Sequence, residues 1–491
     1  QTGHHTMNLA LPIEVIKRIE IIKGPAARVF GQNAFTGAIN IVTNDNLESS
    51  LIAKVQGGSF GQFIAEVTGA VNLEDSNHLV HFSKQSSEGY RKNTDFDNSN
   101  YVLRSQFNKV KLPINLISAF SERKFGAQNF YGVTSPAAVP YEVTQASLIG
   151  LSTEIKKGNF TWKPRMYWRR NQDEYIFIRA NPSVYRNLHI TNKIAAELNG
   201  SYESKLGTTG FGLEFSKYMI QSNNLGDAER EIATLFLEHR FTFFNNVLDV
   251  TPGVAVSYFS DFDNKAFPGI DVGVKLSERL RMYSNVGYTY RVPTYTDLNY
   301  SDPSTLGNPD LQAERAFAQE LGVKYHANAV DFTVAFFNRN TENFIDYRRA
   351  TPADFWEPVN IDVQTKGFES SLKYSFNTNS IKHQVQYGYT YIDDNIETDL
   401  TSKNGINSMR HQIVFGYNVQ LFKGFNQNIS YRYVERTSGV SYNVYDLNTT
   451  YRWKNVEASI LAQNIFNTAY FENTFVPMPK GNVLFGLKFY F

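Results

Sequence analysis

The sequence predicts an all-β membrane protein, a closed antiparallel β-barrel, and three observations lead to this fold class. From about residue 50 onward, segments of roughly 8 to 12 alternating residues are separated by turn residues, as in barrel strands. Aromatic residues reach 14% of the chain, with 29 Tyr and 38 Phe, which suit strands and membrane interfaces. No apolar run is long enough for a transmembrane helix, and a mean hydropathy of −0.36 is ordinary for strands that alternate between lipid and lumen.

The length of 491 residues fits either three soluble domains or one large barrel, and the composition favours the barrel. About 440 residues follow the N-terminal segment, and at roughly 20 residues per strand and connection they predict a 22-stranded antiparallel transmembrane β-barrel. A porin of about 16 to 18 strands would need longer loops throughout.

Charge and cysteine content exclude several classes of function. The net charge is +1 and no block of Lys and Arg is present, so nothing predicts nucleic-acid binding. The absence of cysteine removes disulfides, thiol nucleophiles and cysteine metal sites. Neither a zinc-protease helix nor a P-loop is present, so the sequence does not predict an enzyme.

The first 47 residues differ from the rest and predict a small α+β piece, with the barrel occupying residues 48–491. Ile13 to Ile22 reads as a helical turn that runs into a strand, which Gly24-Pro25 ends. Ala26 to Phe30 is expected to form one helical turn, and Gly37 to Val42 a strand of small residues. This piece is too short to hold a core alone and must pack on something else.

Two strands show the barrel alternation most clearly. In Phe63 to Val71, the side chains of Ala65, Val67 and Val71 share one face, with Glu66 on the other. In the last strand, one face is wholly apolar, and the chain ends on it; its residues are Val483, Phe485, Leu487, Phe489 and Phe491. A soluble protein would rarely leave such an apolar edge bare, because it would aggregate. The apolar faces are therefore expected to contact lipid.

Short turns alternate with long connections, as in outer-membrane barrels. Gly57 to Gly61 joins the first two strands, and Glu278-Arg279 and Lys423-Gly424 are further short turns. Residues 122–144 and 291–314 are the predicted long loops.

Three stretches resemble the TonB-dependent receptor family. Ile19 to Pro25, Arg28 to Gly31 and Ala34 to Thr43 are similar to the end of that family's plug domain. Arg291-Val292-Pro293-Thr294-Tyr295-Thr296-Asp297-Leu298, followed by Gly307 to Leu311, and Ala462 to Asn467 with Tyr470 look like its barrel. The resemblance covers the whole chain and marks residues 1–47 as the C-terminal remnant of the plug.

The resemblance implies an active importer in the bacterial outer membrane. In this family a plug fills a 22-stranded barrel, ligand binds between plug and extracellular loops, and the TonB complex of the inner membrane pulls an N-terminal segment. That segment and most of the plug are expected to precede Gln1, and no signal peptide is present, so we expect the chain to be a fragment. The other expected partners are a small-molecule ligand, outer-membrane lipids and, as a further candidate, a surface lipoprotein.

Charged residues that match the family's plug–barrel contacts are Arg28 in the plug and Glu320 and Glu369 in the barrel. A charge inside a barrel is costly unless it is paired. We therefore expect these three to form ion pairs, the alternative being lumen charges solvated by water.

Candidate ligand contacts lie in the plug apex and in aromatic-rich loops, where exposed rings fit ligand contact better than stability. Alternatives for single residues are a solvent contact, the barrel's aromatic girdle or strand packing. The candidates are His4, His5, Met7, Phe125, Phe130, Tyr131, Tyr141, Tyr185, His189, Tyr295, Asp297 and Tyr300. His and Met are ligands for copper or zinc, so a direct metal site at His4, His5 and Met7 is the lesser alternative; no metal is assigned, because no further ligand is identifiable in sequence.

No cofactor is required by the sequence. Asp393-Asp394-Asn395 offers oxygen ligands for calcium, although a solvated acidic turn is the commoner role.

The cargo is expected to be a scarce small ligand, and the stretch from Arg291 to Leu311 looks most like the cobalamin-receptor branch of the family. Ferric-siderophore and haem receptors share much of that stretch and are the alternative. A passive outer-membrane porin is the more distant alternative, and a closed lumen argues against it.

Overall fold

The computed structural model describes residues 10–23, 31, 34–44, 49–108, 112–132, 137–396, 398, 400–403, 409–473 and 475–491. Within them, no helix has both the length and the apolar character needed to cross a membrane. A five-residue helix, α1 (Tyr295–Asn299), and single 3-10 turns at Ile13–Val15 and Ser59–Gly61 are the described helical elements.

Strands make up most of the described residues. In chain order they are β1 (Ile16–Lys23), β2 (Gly37–Thr43), β3 (Ser50–Gly58), β4 (Gln62–Asn72), β5 (Ser76–Ser87), β6 (Phe96–Phe107), β7 (Ile114–Gly126), β8 (Tyr141–Thr153), β9 (Ile155–Lys157), β10 (Phe160–Ile176), β11 (Arg186–Ser204), β12 (Gly207–Ser222), β13 (Ala228–Phe243), β14 (Leu248–Phe259), β15 (Lys265–Lys275), β16 (Leu280–Arg291), β17 (Ser301–Asp302), β18 (Thr305–Leu306), β19 (Glu314–Ala327), β20 (Val330–Arg349), β21 (Glu357–Thr378), β22 (Ile381–Ile396), β23 (Thr401–Ser402), β24 (Met409–Phe422), β25 (Phe425–Arg436), β26 (Ser441–Trp453), β27 (Val456–Gln463), β28 (Phe471–Asn473), β29 (Val476–Pro477) and β30 (Asn482–Tyr490).

The strands from β3 to β30 form the predicted closed 22-stranded antiparallel barrel. Each long strand pairs with the next one along the chain, and β30 pairs with β3, for example Leu487 with Val55. Short strands β9 and β23 add to this sheet beside β10 and β20, while β17–β18 and β28–β29 form separate hairpins. Because the sheet closes on itself, it leaves no open edge in the membrane.

Side chains alternate between lipid and lumen as the sequence predicted. On the last strand, Phe485 is 59% exposed on the outside, whereas Leu484 beside it is buried inside. On β4, Val67 and Val71 are exposed, whereas Glu66 is buried in the lumen. The predicted lipid-facing and lumen-facing sides are therefore confirmed.

The outer surface marks the limits of the membrane. At the short-turn end, which is periplasmic in such barrels, aromatic side chains cluster; Phe160 stacks on Trp162 with ring centroids 5.8 Å apart, and Trp453 is exposed. Towards the other end of β20, the outward face changes from apolar Phe336 to polar Asn338 and Asn340. The strands therefore extend beyond the apolar band on the extracellular side.

The N-terminal segment packs against the inside of the barrel. Strands β1 and β2 form an antiparallel hairpin of their own, which confirms the two predicted strands. Ala10 and Val15 are buried in an apolar cluster with the lumen-facing Leu79, Val102, Ala119 and Ala146. The predicted helical turn at Ala26 to Phe30 lies outside the described residues, and the assignment of residues 1–47 to a plug domain stays a prediction.

One predicted loop is too long. The first connection covers 127–140 rather than 122–144, because β7 and β8 continue pairing as far as Gly126 and Tyr141. Phe125 and Tyr141 are therefore strand ends rather than loop residues. The second connection covers 292–313, close to the prediction, and contains α1 and the β17–β18 hairpin.

Two sequence motifs have a structural explanation. Gly57-Gly58-Ser59-Phe60-Gly61 has the spacing of a hydrolase nucleophile elbow, but it forms a turn between two antiparallel strands, and the Ser59 Oγ accepts a hydrogen bond from the Val483 backbone. Asn464, in the C-terminal motif, is buried and holds loop 464–481 through bonds to the Thr468 and Pro479 backbone. Both motifs therefore shape loops.

Candidate functional site

A cavity of about 610 Å³ lies in the extracellular half of the lumen, between the N-terminal segment and the wall formed by β4 to β7. We call it the upper cavity. Residues 11–14 close one side, and Tyr90, Arg91 and Phe130 lie at its loop end. Its volume lies within the usual range for small-molecule sites.

The barrel register arranges the wall of the upper cavity in rows. The row nearest the membrane centre contains Glu66, Ser83 and Asn100, which are paired across β4, β5 and β6. The next row contains Ile64, Gln85, Asn98 and Arg123. Phe96 and Phe125 pair in the row above. The wall therefore offers amide, hydroxyl and guanidinium groups below two aromatic rings.

The described start of loop 127–140, residues 127–132, lies against this wall. Arg91 donates hydrogen bonds to the Gln128 backbone oxygen at 2.6 Å and to the Asn129 side chain at 3.0 Å, which ties loop 88–95 to it. Phe125 and Phe130 contact each other edge to face, with ring centroids 6.2 Å apart. Phe125 and Phe130, two of the aromatic residues predicted to contact ligand, both line the upper cavity.

Tyr131 fastens the same loop to the barrel. Its hydroxyl donates a hydrogen bond to Glu142 Oε2, and its ring packs on Tyr175 with centroids 5.2 Å apart. Burial raises the pKa of the Tyr131 hydroxyl well above its usual value, so the group stays protonated and keeps donating at neutral pH.

Two carboxyl groups meet beneath Tyr131. Glu142 is fully buried, and the buried side chain of Asp173 on the neighbouring strand interacts with it electrostatically. The pair is a compact acidic centre in the wall.

Tyr185 and Tyr300 join this centre to the other extracellular loops. Asn187 donates to the Tyr185 hydroxyl at 3.0 Å and lies 3.4 Å from the Tyr300 hydroxyl. Burial raises the pKa of the Tyr300 hydroxyl. We call Tyr131, Tyr175, Tyr185 and Tyr300 the tyrosine cluster; three of its four members were predicted from sequence.

The contacts of Tyr295 and Asp297 stabilise loop 292–313 in this structure. The Asp297 and Thr294 side chains cap the start of α1 reciprocally. Asp297 also accepts a bond from the Tyr347 hydroxyl at 3.2 Å. Tyr295 is buried with Ile220 and Leu225, away from the upper cavity.

Tyr141 and His189 also have partners in the barrel. The Arg179 guanidinium stacks on the Tyr141 ring at 4.0 Å, and the same guanidinium binds Asp95. His189 is buried and lies 2.8 Å from Ser222 Oγ. That these residues contact ligand stays a prediction.

Four of the predicted site residues, His4, His5, Met7 and Arg28, lie outside the described residues. The proposed ion pairs of Arg28 therefore stay predictions. Glu320 and Glu369 lie on β19 and β21, and both are close enough to Tyr283 to interact with it electrostatically.

Lys54, Glu14 and Glu66 form a described ionic contact between the N-terminal segment and the barrel. The Lys54 ammonium lies 3.2 Å from Glu66 and 3.8 Å from Glu14. Sequence reasoning missed this contact, because nothing in the spacing of residues 14, 54 and 66 brings them together.

The candidate calcium ligands do not lie in the expected acidic turn. Asp393, Asp394 and Asn395 lie on β22 rather than in a turn, and Asp394 accepts a bond from Thr365 at 2.7 Å. Throughout the described part of the chain, no three His, Cys, Asp or Glu side chains are grouped so as to hold a metal ion.

Sequence reasoning also missed the polar wall of the upper cavity. The signal was present as alternating polar residues, Asn98 and Asn100 on one strand and Ser121 and Arg123 on the next. Each strand could be read alone, but only the register between strands shows that these residues form one surface.

The closed barrel and a lumen that contains an N-terminal hairpin define an outer-membrane β-barrel of the receptor class. The sequence model described as "TonB dependent receptor-like, beta-barrel" matches residues 73–467, and the chain belongs to this family. The protein therefore resides in the bacterial outer membrane, as predicted.

Several curated relatives that share one name, vitamin B12 transporter BtuB, match about three quarters of the chain. The vitamin B12 transporter BtuB of Vibrio vulnificus (strain YJ016) is 22% identical over 395 residues, 76% of this chain and 62% of that protein. The protein of the same name from Photobacterium profundum is 21% identical over 402 residues, 77% of this chain and 63% of that protein. The chain thus spans less than two thirds of the length of these relatives.

Solved structures share the fold. The copper transporter OprC has a TM-score of 0.80 at 14% identity, covering 97% of this chain and 86% of that one. The siderophore receptor PirA from Pseudomonas aeruginosa has a TM-score of 0.74 at 15% identity, covering 98% and 88%. The hemophore receptor HasR of Serratia marcescens has a TM-score of 0.80 at 15% identity, covering 97% and 87%. These proteins are transporters and receptors with different cargoes, so they support the fold and leave the ligand open.

Proposed function

We propose that the whole protein imports a corrinoid such as cobalamin across the outer membrane, powered by the TonB complex. The match to relatives named as vitamin B12 transporters over about three quarters of the chain supports this class of cargo. The observation that carries the choice is the polar wall of the upper cavity, where Gln85, Asn98 and Asn100 face the lumen.

The chemistry of that wall suits an amide-bearing ligand of low net charge. A corrinoid carries several carboxamide groups, and side-chain amides can both donate to and accept from them. A polyanionic ferric chelate would need a surplus of positive charge. Of the three cations that line the upper cavity, Arg91, Arg123 and Lys54, two are balanced by Glu14 and Glu66, which leaves a surplus of a single positive charge.

Equilibrium binding tests the proposal. The purified full-length receptor in detergent is titrated with cyanocobalamin and, separately, with a panel of ferric siderophores and with haem. We expect cyanocobalamin to bind with a Kd below about 1 μM and the other ligands to bind at least a hundredfold more weakly. Binding of one iron chelate or of haem, with no cyanocobalamin bound, would replace the corrinoid with the alternative cargo of the same class.

A variant locates the site. Asn98→Leu removes an amide of the wall and keeps the side chain's approximate size, so cobalamin affinity should fall about tenfold, the effect of one hydrogen bond of roughly 1.4 kcal/mol. Asn338→Leu, on the outer face of β20, is the matched control and should leave the affinity unchanged. Equal affinities of the two variants would place the ligand elsewhere.

A further inference from the structure

An open groove of about 770 Å³ lies on the outside of the barrel, on strands β8 and β10 to β14. We call it the outer groove. Three of its large side chains, Met166, Phe215 and Tyr258, are each more than half exposed, so the groove opens to the lipid that surrounds the barrel. It belongs to the outer surface and is separate from the lumen and the upper cavity.

Large and small side chains alternate along one row of the outer groove. The strand register pairs Met166 with Ala196 and Ala196 with Phe215. It then pairs Phe215 with Ala233 and Ala233 with Tyr258. Paired residues in antiparallel strands point to the same face, so each alanine lies between two large side chains. The row therefore contains two depressions, one over each alanine, and Phe215 separates them.

Two depressions beside one ridge fit a pair of acyl chains. Apolar surface inside a membrane already contacts lipid tails, so selective contact depends on close van der Waals packing rather than on removal of water. A flat wall offers every chain the same contact, whereas a depression encloses part of one chain. The geometry favours a lipid with two chains that straddle Phe215.

The charged residues beside the outer groove lie on its extracellular side. Lys217 follows Phe215 on the same face of β12, and Glu231 is its partner on β13. In the next row, Arg170 and Glu229 face the same way. All residues of these two rows from β8 to β13 are described, and their charges are these two cations and two carboxylates. They form the rim at which a head group would lie.

The rim is balanced in charge. The Lys217 ammonium lies 2.9 Å from Glu229 and 3.1 Å from Glu231, and both carboxyl groups remain more than half exposed. An anionic head group calls for a surplus of cations, and these carboxylates would repel it. A head group with a phosphate and an ammonium can instead direct its phosphate to Lys217 or Arg170 and its ammonium to the carboxylates.

We propose that the outer groove binds one diacyl phospholipid with a zwitterionic phosphoethanolamine head group. Its two chains occupy the depressions over Ala196 and Ala233, and its head group lies at the rim around Lys217. The site faces the membrane, so it would hold this lipid whichever cargo the lumen receives.

Native mass spectrometry of the full-length receptor tests the two depressions. The receptor, purified in a mild detergent, is offered equal amounts of dioleoyl phosphatidylethanolamine and dioleoyl phosphatidylglycerol. We expect wild type to retain one phosphatidylethanolamine, with a preference of about fivefold or more over phosphatidylglycerol. Ala196→Phe with Ala233→Phe fills both depressions and should reduce this retention about tenfold. Ala65→Phe with Ala458→Phe, on the outer faces of β4 and β27, is the matched control and should retain the lipid as wild type does.

A second pair of variants tests the head group. Glu229→Gln with Glu231→Gln removes the two carboxylates and leaves the depressions intact. The preference for phosphatidylethanolamine should then fall below about twofold, because Lys217 and Arg170 would favour the anionic lipid. Glu342→Gln, which removes an outward carboxylate beside Arg315, should keep the wild-type preference.

Three results would overturn the proposal. Equal retention of the two lipids by wild type would show that the rim does not select a head group. Wild-type retention by the Phe variant would place the lipid elsewhere on the barrel. A receptor dimer that forms in wild type without bound lipid, and dissociates in the Phe variant, would assign the outer groove to a second copy of the chain. Circular dichroism reports whether each barrel is folded, and if the Phe variant is not, the lipid preference of the Gln variant decides.

Discussion

At the scale of single residues, Tyr131 shows how far a sequence can identify a site. Its place in an aromatic loop predicted ligand contact, and the structure gives its hydroxyl a partner in the barrel, Glu142. The partner is eleven residues away on the next strand, and its burial follows from the barrel register rather than from any local pattern. The sequence therefore identified the region but not the bond.

Tyr131→Phe should loosen loop 127–140. The variant removes the donor to a fully buried carboxyl group, which costs about 1–3 kcal/mol locally. Hydrogen–deuterium exchange of the loop amides should speed up roughly tenfold or more. The outward-facing Tyr101→Phe is the control, and equal exchange in both variants would contradict the assigned bond.

Alkaline pH should have the same effect on the wild type. The pKa of the Tyr131 hydroxyl is raised in the folded loop above the usual value of 10.0, so the contribution of this group is fully present below that pH. Above it, the unfolded loop loses the proton first, and the stabilisation declines as pH rises towards the folded-state pKa. Loop exchange, corrected for its intrinsic pH dependence, should therefore accelerate above pH 10 in wild type, and less so in Tyr131→Phe. A parallel response of both proteins would exclude Tyr131 as the titrating group.

At the scale of elements, the N-terminal segment rests on a specific part of the barrel wall. Ala10 and Val15 provide an apolar contact, and Glu14 approaches Lys54 and Glu66 beside it. The predicted contact through Arg28, Glu320 and Glu369 would act on the wall of β19 and β21. Sequence reasoning found the strands of this segment because periodicity is local, and it missed the Lys54 contact because the partners come from three separate elements.

Lys54→Met should weaken the contact between the N-terminal segment and the barrel wall. It leaves two partly buried carboxyl groups without their shared cation, at a cost of about 1–3 kcal/mol. In cells that produce the full-length receptor, we expect increased entry of vancomycin through a loosened lumen. Lys163→Met removes an exposed pair with Glu154, worth roughly 0–1 kcal/mol, and should have no effect. Equal sensitivity of the two strains to vancomycin would contradict a stabilising role for the Lys54 contact.

Charge reversal tests the contact predicted from the family resemblance. Glu320→Lys or Glu369→Lys would place a cation opposite Arg28, so the plug should loosen and transport should change. The measurements are cargo uptake and the thermal stability of the plug in the full-length receptor. If both quantities stayed at wild-type values, the predicted ion pairs would have to be abandoned.

At the scale of the whole molecule, the barrel was predictable and the lumen was not. Alternation, short turns and the apolar last strand are properties of neighbouring residues, and they predicted the lipid-facing side, while the chain length predicted the strand number. The wall of the upper cavity depends on which residues of distant strands share a row. Asn98 and Arg123 acquire a common role only after the sheet is assembled.

Uptake with and without TonB tests the central claim, energised import of cobalamin, most directly. Radiolabelled cyanocobalamin uptake is measured in cells that produce the full-length receptor, with TonB present, with TonB deleted and with the proton gradient collapsed. We predict rapid uptake in the first case and, in the other two, surface binding at the same level with accumulation reduced at least a hundredfold. Accumulation at an equal rate in all three cases would contradict the account and identify the barrel as a passive porin.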